Sequence, residues 1–345
     1  MTQLYDARGN RYIVCTPKTL RDRGIHIADN AAEAAQNRQQ WAAEAVDAFC
    51  SWPQNTRPEG SKAHRSDGLL VGPFSDEEGF EDGGVAQARD AFDLLIINTD
   101  GTLAERSGNG LTIFAQYLTD AGYTDASASF ELRVHHDRLN TATPVSTSVE
   151  PTAINSEQGF WLDLGTAQFG AAAVGALAYA VEPAPYKADV LSQVTRLAQI
   201  HPHWTASAFV RIGNPHCVTL VSEEAQLPTF EALHEQPLNQ ALTRIAFTKG
   251  ALGDGEPCPA GVNLQWAWAR SANEVVAQVF ERGEGPTASS GTSASAVACA
   301  AWSAGLVQTG LVHVSMPGGT APVRLALVEE ELQVALFGVA KLLGN

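Results

Sequence analysis

The chain carries one supersecondary pattern twice. Residues 92–122 read FDLLIINTDGTLAERSGNGLTIFAQYLTDAG, and residues 274–305 read EVVAQVFERGEGPTASSGTSASAVACAAWSAG. Each copy opens with an aliphatic and β-branched run, Phe92 to Ile97 and Val275 to Phe280, that predicts a strand. A Gly-containing loop follows, and then a helix begins. The loops at the helix starts are Ser107-Gly108-Asn109-Gly110 and Ser290-Gly291-Thr292-Ser293. Gly122 and Gly305, each suited to a helix C-cap, come fifteen positions after the lead serines. Polar residues keep step as well, with Asn98 nine positions before Ser107 and Glu281 nine before Ser290. A chain built on such a repeat is constrained to two similar halves, each organised around one helix.

The repeated loop has a chemical meaning. A Gly-rich turn entering a helix offers unpaired N–H groups and the positive end of the helix dipole to an anion, and a substrate carboxylate suits that place. For either loop alone, a core helix with serine as its N-cap is the plainer reading. It is the pairing that favours a shared function.

Other features narrow the class. At 345 residues the chain is long enough for about two domains. With 22 Lys plus Arg against 38 Asp plus Glu, the net charge of −16 argues against nucleic acid and against an anionic membrane surface as partners. No apolar stretch is long enough to span a bilayer, and no basic region leads an apolar core at the start, so the expectation is a cytoplasmic protein. The five cysteines, Cys15, Cys50, Cys217, Cys258 and Cys299, lack metal-type or disulfide-framework spacing and read as reduced, buried thiols. His135-His136 and His201-Pro202-His203 read as surface or packing histidines, and no metal site is expected. A helix is predicted over 30–49, with Trp41, Ala45 and Phe49 on a packing face, and helical character near Val190 to Ile200. The Gly213-Asn214-Pro215-His216 turn separates the strand candidates SAFVRI and CVTLV. Strands dominate the remainder, giving a mixed α+β class.

With these motifs placed, the sequence resembles the diaminopimelate epimerase family over most of its length. NTDGTLAERSGNG is similar to that family's Asn-x-Asp-Gly-Ser-x-Ala-Glu-x-Cys-Gly-Asn-Gly signature. GNPH stands at 213–216, ERGEGPTASSGTSA is similar to Glu-Arg-Gly-x-Gly-x-Thr-x-Ala-Cys-Gly-Thr-Gly-Ala, and MPGG at 316–319 resembles the Pro-Gly-Gly near the family's end. The resemblance implies two pseudo-symmetric α+β domains, each a curved, mostly antiparallel sheet around a central helix, with the active site in the interdomain cleft. The domains expected are 1–150, joined by a returning strand at about 333–345, and 151–332.

It also implies a cofactor-independent epimerase, working without pyridoxal phosphate on a small amino acid that is zwitterionic at both ends. A homodimer is the expectation by analogy. Carried over residue by residue, Asn10, Asn98, Asn214, Asn263 and Arg282 would grip substrate, and Gly108, Asn109, Gly291 and Thr292 would receive a carboxylate. Ser107 and Ser290 occupy the two cysteine positions, with His216 and Glu281 as assisting groups.

The departures are as informative. Both proton-transferring cysteines of the family pattern are serine here. Arg11-Tyr12 replaces its Asp-Phe, Thr112-Ile113 its Arg-Cys, and Ser293 a glycine, which points to native divergence rather than two engineered changes. An alcohol is a far weaker acid than a thiol near neutral pH and becomes a base only when a neighbour takes its proton. Three readings follow: an amino-acid epimerase or related isomerase, a ligand-binding or regulatory homologue without the proton relay, and a hydrolase using Ser290, His216 and Glu281. The last lacks a Gly-x-Ser-x-Gly elbow.

Overall fold

The computed structural model describes residues 2–53, 56–74, 90–138, 142–187 and 189–344. The chain divides into two compact units: one comprises the residues up to Asp163 together with those from Gly338 onward, and the other is Leu164–Phe337. The first unit extends past residue 150 because Val145–Ile154 forms an antiparallel hairpin with Glu157–Thr166, which carries the sheet on to Asp163.

In the first unit, Gln3–Ala7 and Asn10–Cys15 form an antiparallel hairpin, closed by Arg8 and Gly9 at φ of 52° and 90°. Asn10–Cys15 then pairs in parallel with Gly68–Phe74, which is antiparallel to Ala91–Asn98. Ala91–Asn98 is parallel to Phe130–Val134, and Val145–Ile154 and Glu157–Thr166 follow antiparallel. Lys341–Gly344 returns to pair with Gln3–Ala7.

The second unit repeats that order of pairing. Ser207–Ile212 and Asn214–Leu220 are antiparallel about Gly213, and Asn214–Leu220 is parallel to Asn263–Ser271. Next come Glu274–Glu281 (antiparallel), Gly310–Met316 (parallel), Gly319–Val328 (antiparallel) and Glu331–Gly338 (antiparallel). The repeat visible in sequence at one helix therefore extends through a whole succession of strands.

Parallel neighbours cannot be joined by a tight turn and need a crossover, so each unit contains two of them. One crossover in each is the long helix after the repeated loop, Gly108–Asp120 or Gly291–Ser303. The other is a set of short helices. Residues 31–50 are the first unit's version, and Phe230–His234 with Leu238–Ala246 is the second unit's.

The helix expected over 30–49 is broken. Ala31–Gln36 and Ala42–Cys50 are separated by a 3-10 turn at Arg38–Gln40. The Trp41 indole N–H donates to the Ala34 carbonyl at 3.0 Å, folding the second helix back on the first. Helical character near 190–200 is confined to Thr195–Ile200, because Asp189–Val194 pairs with Val181–Tyr186 and cross-strand pairing overrides the helical spacing.

Strand alternation sorts the core onto two faces. Leu69, Leu95 and Ile97 pack with Trp41, Val46 and Phe49 beneath the short helices, and in the second unit Leu264, Trp266 and Phe280 pack with Leu242 and Ile245 in the same way. The opposite face receives the long helix. Gly291–Ser303 is buried from Gly291 to Ala301 and touches strands on both sides of it. Its Gly, Ala and Ser residues show no single apolar stripe, as befits a helix surrounded by its sheet. Among the described residues, no helix is long and apolar enough to cross a membrane.

Candidate functional site

Both lead serines cap their helices. Ser107 is extended (φ −140°, ψ 117°), and its hydroxyl oxygen accepts from the Gly110 N–H at 3.1 Å. Ser290 has nearly the same backbone (φ −148°, ψ 121°), and its oxygen accepts from the Ser293 N–H at 3.3 Å. The lead carbonyls accept the next N–H in each case, from Leu111 and Ala294. The helix itself therefore provides no partner for the N–H groups of Gly108 and Asn109, or of Gly291 and Thr292. These are the four positions expected to receive carboxylate.

The loop before Ser107 is held firmly. Arg106 donates through Nε and Nη2 to the Thr147 hydroxyl, at 3.2 and 2.7 Å, and through Nη2 to the Ser146 carbonyl at 2.8 Å. Asn98 ends its strand and closes the Asn98–Thr102 turn: its N–H donates to the Thr102 carbonyl and its Nδ2 to the Thr102 hydroxyl, at 2.8 and 2.9 Å. One amide hydrogen is thus structural, leaving Oδ1 for other work. Asn10 begins the second strand of the terminal hairpin, opposite Ala7.

In the second unit, Asn214 and His216 lie two apart on one strand, Asn263 and Gln265 two apart on its parallel neighbour, and His216 is level with Asn263. By strand alternation each pair shares a face. Gln265 touches Ser293, so that face is the one toward the long helix. The fold brings Asn214, His216, Asn263 and Gln265 to the side where Ser290 caps the helix. Glu281 ends the adjoining strand, opposite Gly285. Arg282 is anchored by the Asn263 side chain, which accepts its N–H at 2.7 Å, and by the Ala260 carbonyl, which accepts from Nη1 at 2.9 Å. Asn263 thus spends its side-chain oxygen on the backbone.

The turn at 316–319 belongs to the same neighbourhood, since the Gly318 N–H donates to the Ala288 carbonyl at 2.7 Å and props the loop that leads to Ser290.

Electrostatics constrain what these groups can do. Burial, with the charge of Arg282 next in importance, lowers the His216 imidazole to about 3, so it is neutral at ordinary pH. Its Nδ1 faces the Gln265 amide nitrogen at 3.0 Å, while Nε2 has no hydrogen-bond partner among the described residues. His216 makes no hydrogen bond to Ser290, and the Ser290, His216 and Glu281 triad is not assembled among the described residues. This corrects the hydrolase alternative. No thiol stands in for the serines either. All five cysteines are buried and free, and burial raises Cys217 and Cys258 to about 12.

Two residues that the motifs did not flag, Arg106 and Gln265, position this machinery. Their only sequence signal is a charge beside a helix cap and one polar residue inside an apolar strand. His135 and His136, read as surface or packing residues, are both buried, and His135 Nε2 lies 2.6 Å from the Asp93 carboxylate. Among the described residues, no group of three or more His, Cys, Asp or Glu side chains could hold a metal ion.

Solved structures of similar shape share this architecture. A phenazine biosynthesis protein of the PhzF family from Bacillus anthracis matches with a TM-score of 0.57 at 12% identity, covering 99% of this chain and 96% of that one. A hydroxyproline epimerase from Agrobacterium vitis matches with a TM-score of 0.56 at 12% identity, covering 99% and 90%. At that identity they define the class of fold, the two-unit α+β fold of such proteins. Sequence narrows it. The family model for diaminopimelate epimerase matches residues 208–343. Diaminopimelate epimerase 2 of Nostoc sp. is 28% identical over 255 residues, which is 74% of this chain and 72% of the relative. In sequence the chain is thus similar to diaminopimelate epimerases, over most of its second unit by the family model and over about three quarters of its length by this relative.

Proposed function

We propose that this protein is a cofactor-independent amino-acid epimerase or related isomerase acting by proton transfer at an α-carbon, with diaminopimelate as the first substrate to try. The observation that carries this reading is the duplicated helix opening. Two Gly-rich loops, each capped by a serine and each leaving two first-turn N–H groups unclaimed by the helix, recur at equivalent points of two units with the same succession of strands.

Inverting an α-carbon requires removing a proton on one face, holding the carbanion's charge, and returning a proton on the other. First-turn N–H groups and the helix dipole suit the substrate carboxylate, into which that charge delocalises. Asn10, Asn98, Asn214, Asn263 and Arg282 are assigned to the substrate's polar groups. Ser107 and Ser290 take the acid and base positions, with Glu281 and His216 assisting.

A second reading has a specific observation in its favour. Both serine hydroxyls serve as N-cap acceptors, and among the described residues neither is hydrogen-bonded to a carboxylate or an imidazole. A protein that keeps the grip and has lost the relay would have this geometry.

Incubating the protein with L,L- and meso-diaminopimelate in deuterated water separates the two. Interconversion of the stereoisomers with deuterium at the α-carbon is the expected result. Absence of both removes epimerisation of that substrate, and calorimetric titration of the same compounds then shows whether a binder remains.

A further inference from the structure

Ser293 stands where the family pattern has glycine, and its hydroxyl is engaged. The Gln265 side-chain nitrogen lies 3.0 Å from Ser293 Oγ and 3.0 Å from His216 Nδ1. An amide NH2 has two hydrogens, so one nitrogen serves both acceptors. All three side chains are fully buried. The Ser293 backbone N–H is the group that donates to Ser290. One residue thus joins the helix cap to the imidazole through Gln265.

The orientation of the amide decides the state of the ring. With nitrogen toward His216, Nδ1 must be an acceptor, and a neutral ring then carries its proton on Nε2. In this arrangement the Gln265 carbonyl oxygen and the His216 Nε2–H both lack a partner among the described residues. With the amide reversed, its oxygen would face the ring, Nδ1 would have to carry the proton, and Nε2 would be bare. The amide as the structure places it, with its nitrogen between the two acceptors, is the orientation that fixes the tautomer.

We propose that Gln265 and Ser293 are positioning residues that lock His216 in its neutral Nε2–H tautomer, making the imidazole a fixed hydrogen-bond donor rather than a base. The lock is a property of the second unit and stands apart from the proposed epimerase reaction. Only the use of the Nε2–H, to meet a substrate or water oxygen, rests on that reading.

Nitrogen NMR of the full chain with isotope-labelled histidine tests it, using loss of one ring signal in His216→Asn to assign the residue among the nine histidines. The expected wild-type spectrum shows an unprotonated Nδ1 and a protonated Nε2, unchanged across neutral pH. Gln265→Glu replaces the donor with a carboxylate, and protonation of Nδ1 is expected. Gln265→Met removes the donor at similar size, and a mixture of tautomers is expected. A wild-type Nδ1–H tautomer overturns the proposal whether or not either variant folds. So does an unchanged tautomer in a folded Gln265→Glu. Because none of these signals depends on turnover, failure of the lock and failure of the epimerase reading are separately visible.

Discussion

Gly318 approaches Ala288 so closely that a Cβ on the glycine would fall 2.9 Å from the Ala288 carbonyl oxygen, the oxygen that already accepts the Gly318 N–H. The same Cβ would lie 3.0 Å from the Ser289 Cβ. The Pro-Gly-Gly turn thus acts as a brace for the loop feeding the Ser290 cap. Gly318→Ala is expected to lower stability by about 1–3 kcal/mol through overpacking. It should weaken ligand binding more than a surface mutation of equal destabilisation does. Thermal melting and calorimetric titration of the variant provide the comparison.

Restoring thiols at the two caps separates chemistry from folding. Ser107→Cys with Ser290→Cys is expected to raise the rate of α-proton exchange, because free thiols titrate near ~8.5 and fall lower at helix starts. Stability should move the other way, by about 0.5–2 kcal/mol per cap, since serine oxygen is the better N-cap acceptor. Deuterium incorporation and chemical denaturation, measured on the same preparation, check both signs. Faster exchange in the single Ser→Cys variants than in the double would count against paired use of the positions.

Asp93 accepts from His135 and from Arg133 Nη2, at 2.6 Å each. Burial acts to raise its carboxyl, but the hydrogen bonds and charge of His135 and Arg133 outweigh burial and lower it. A carboxylate whose folded value is lowered contributes stability above its unfolded value, near ~3.9, and loses it as pH falls through the lower folded value. Asp93→Asn is therefore expected to be destabilising at neutral pH, by about 1–3 kcal/mol. Its deficit relative to wild type should shrink as pH drops below about 4. Denaturation curves for both proteins across acid pH read the convergence directly.

Thr112 and Gly338 are matched in size. The Thr112 hydroxyl donates to the Gly108 carbonyl at 2.8 Å, and a Cβ on Gly338 would fall 1.9 Å from that hydroxyl oxygen. Gly338→Ala is expected to cost about 1–3 kcal/mol, with partial rescue by Thr112→Ala, since the Thr112 Cβ would remain 2.8 Å away. A double-mutant cycle measures the coupling, and strict additivity would rule the contact out as the cause.

The sequence made the duplicated helix opening legible because its information is local: a serine cap, glycines and a terminal glycine at matched spacing. The crossover at 31–50 concealed its counterpart at 230–246, since any short helices that cover a sheet face will do and the two share no motif. Asp189–Val194 was misread because a strand of that length is settled by its partner across the hairpin. Asn263 and Asn98, which the motifs single out, each satisfy backbone or neighbouring groups, which residue type alone does not reveal. Gln265 left only the signal of a polar residue in an apolar strand, because its meaning depends on Ser293 and His216, each 28 or more positions away.

The route of the chain sets an order of assembly. Lys341–Gly344 pairs with Gln3–Ala7, and Gly338 packs on Thr112, so the sheet of the first unit holds a strand synthesised only after the whole of Leu164–Phe337. On the ribosome, the first half made is the last half completed. Until Lys341–Gly344 emerges, the strand edge at Gln3–Ala7 lacks that partner and is open to pairing with the wrong one.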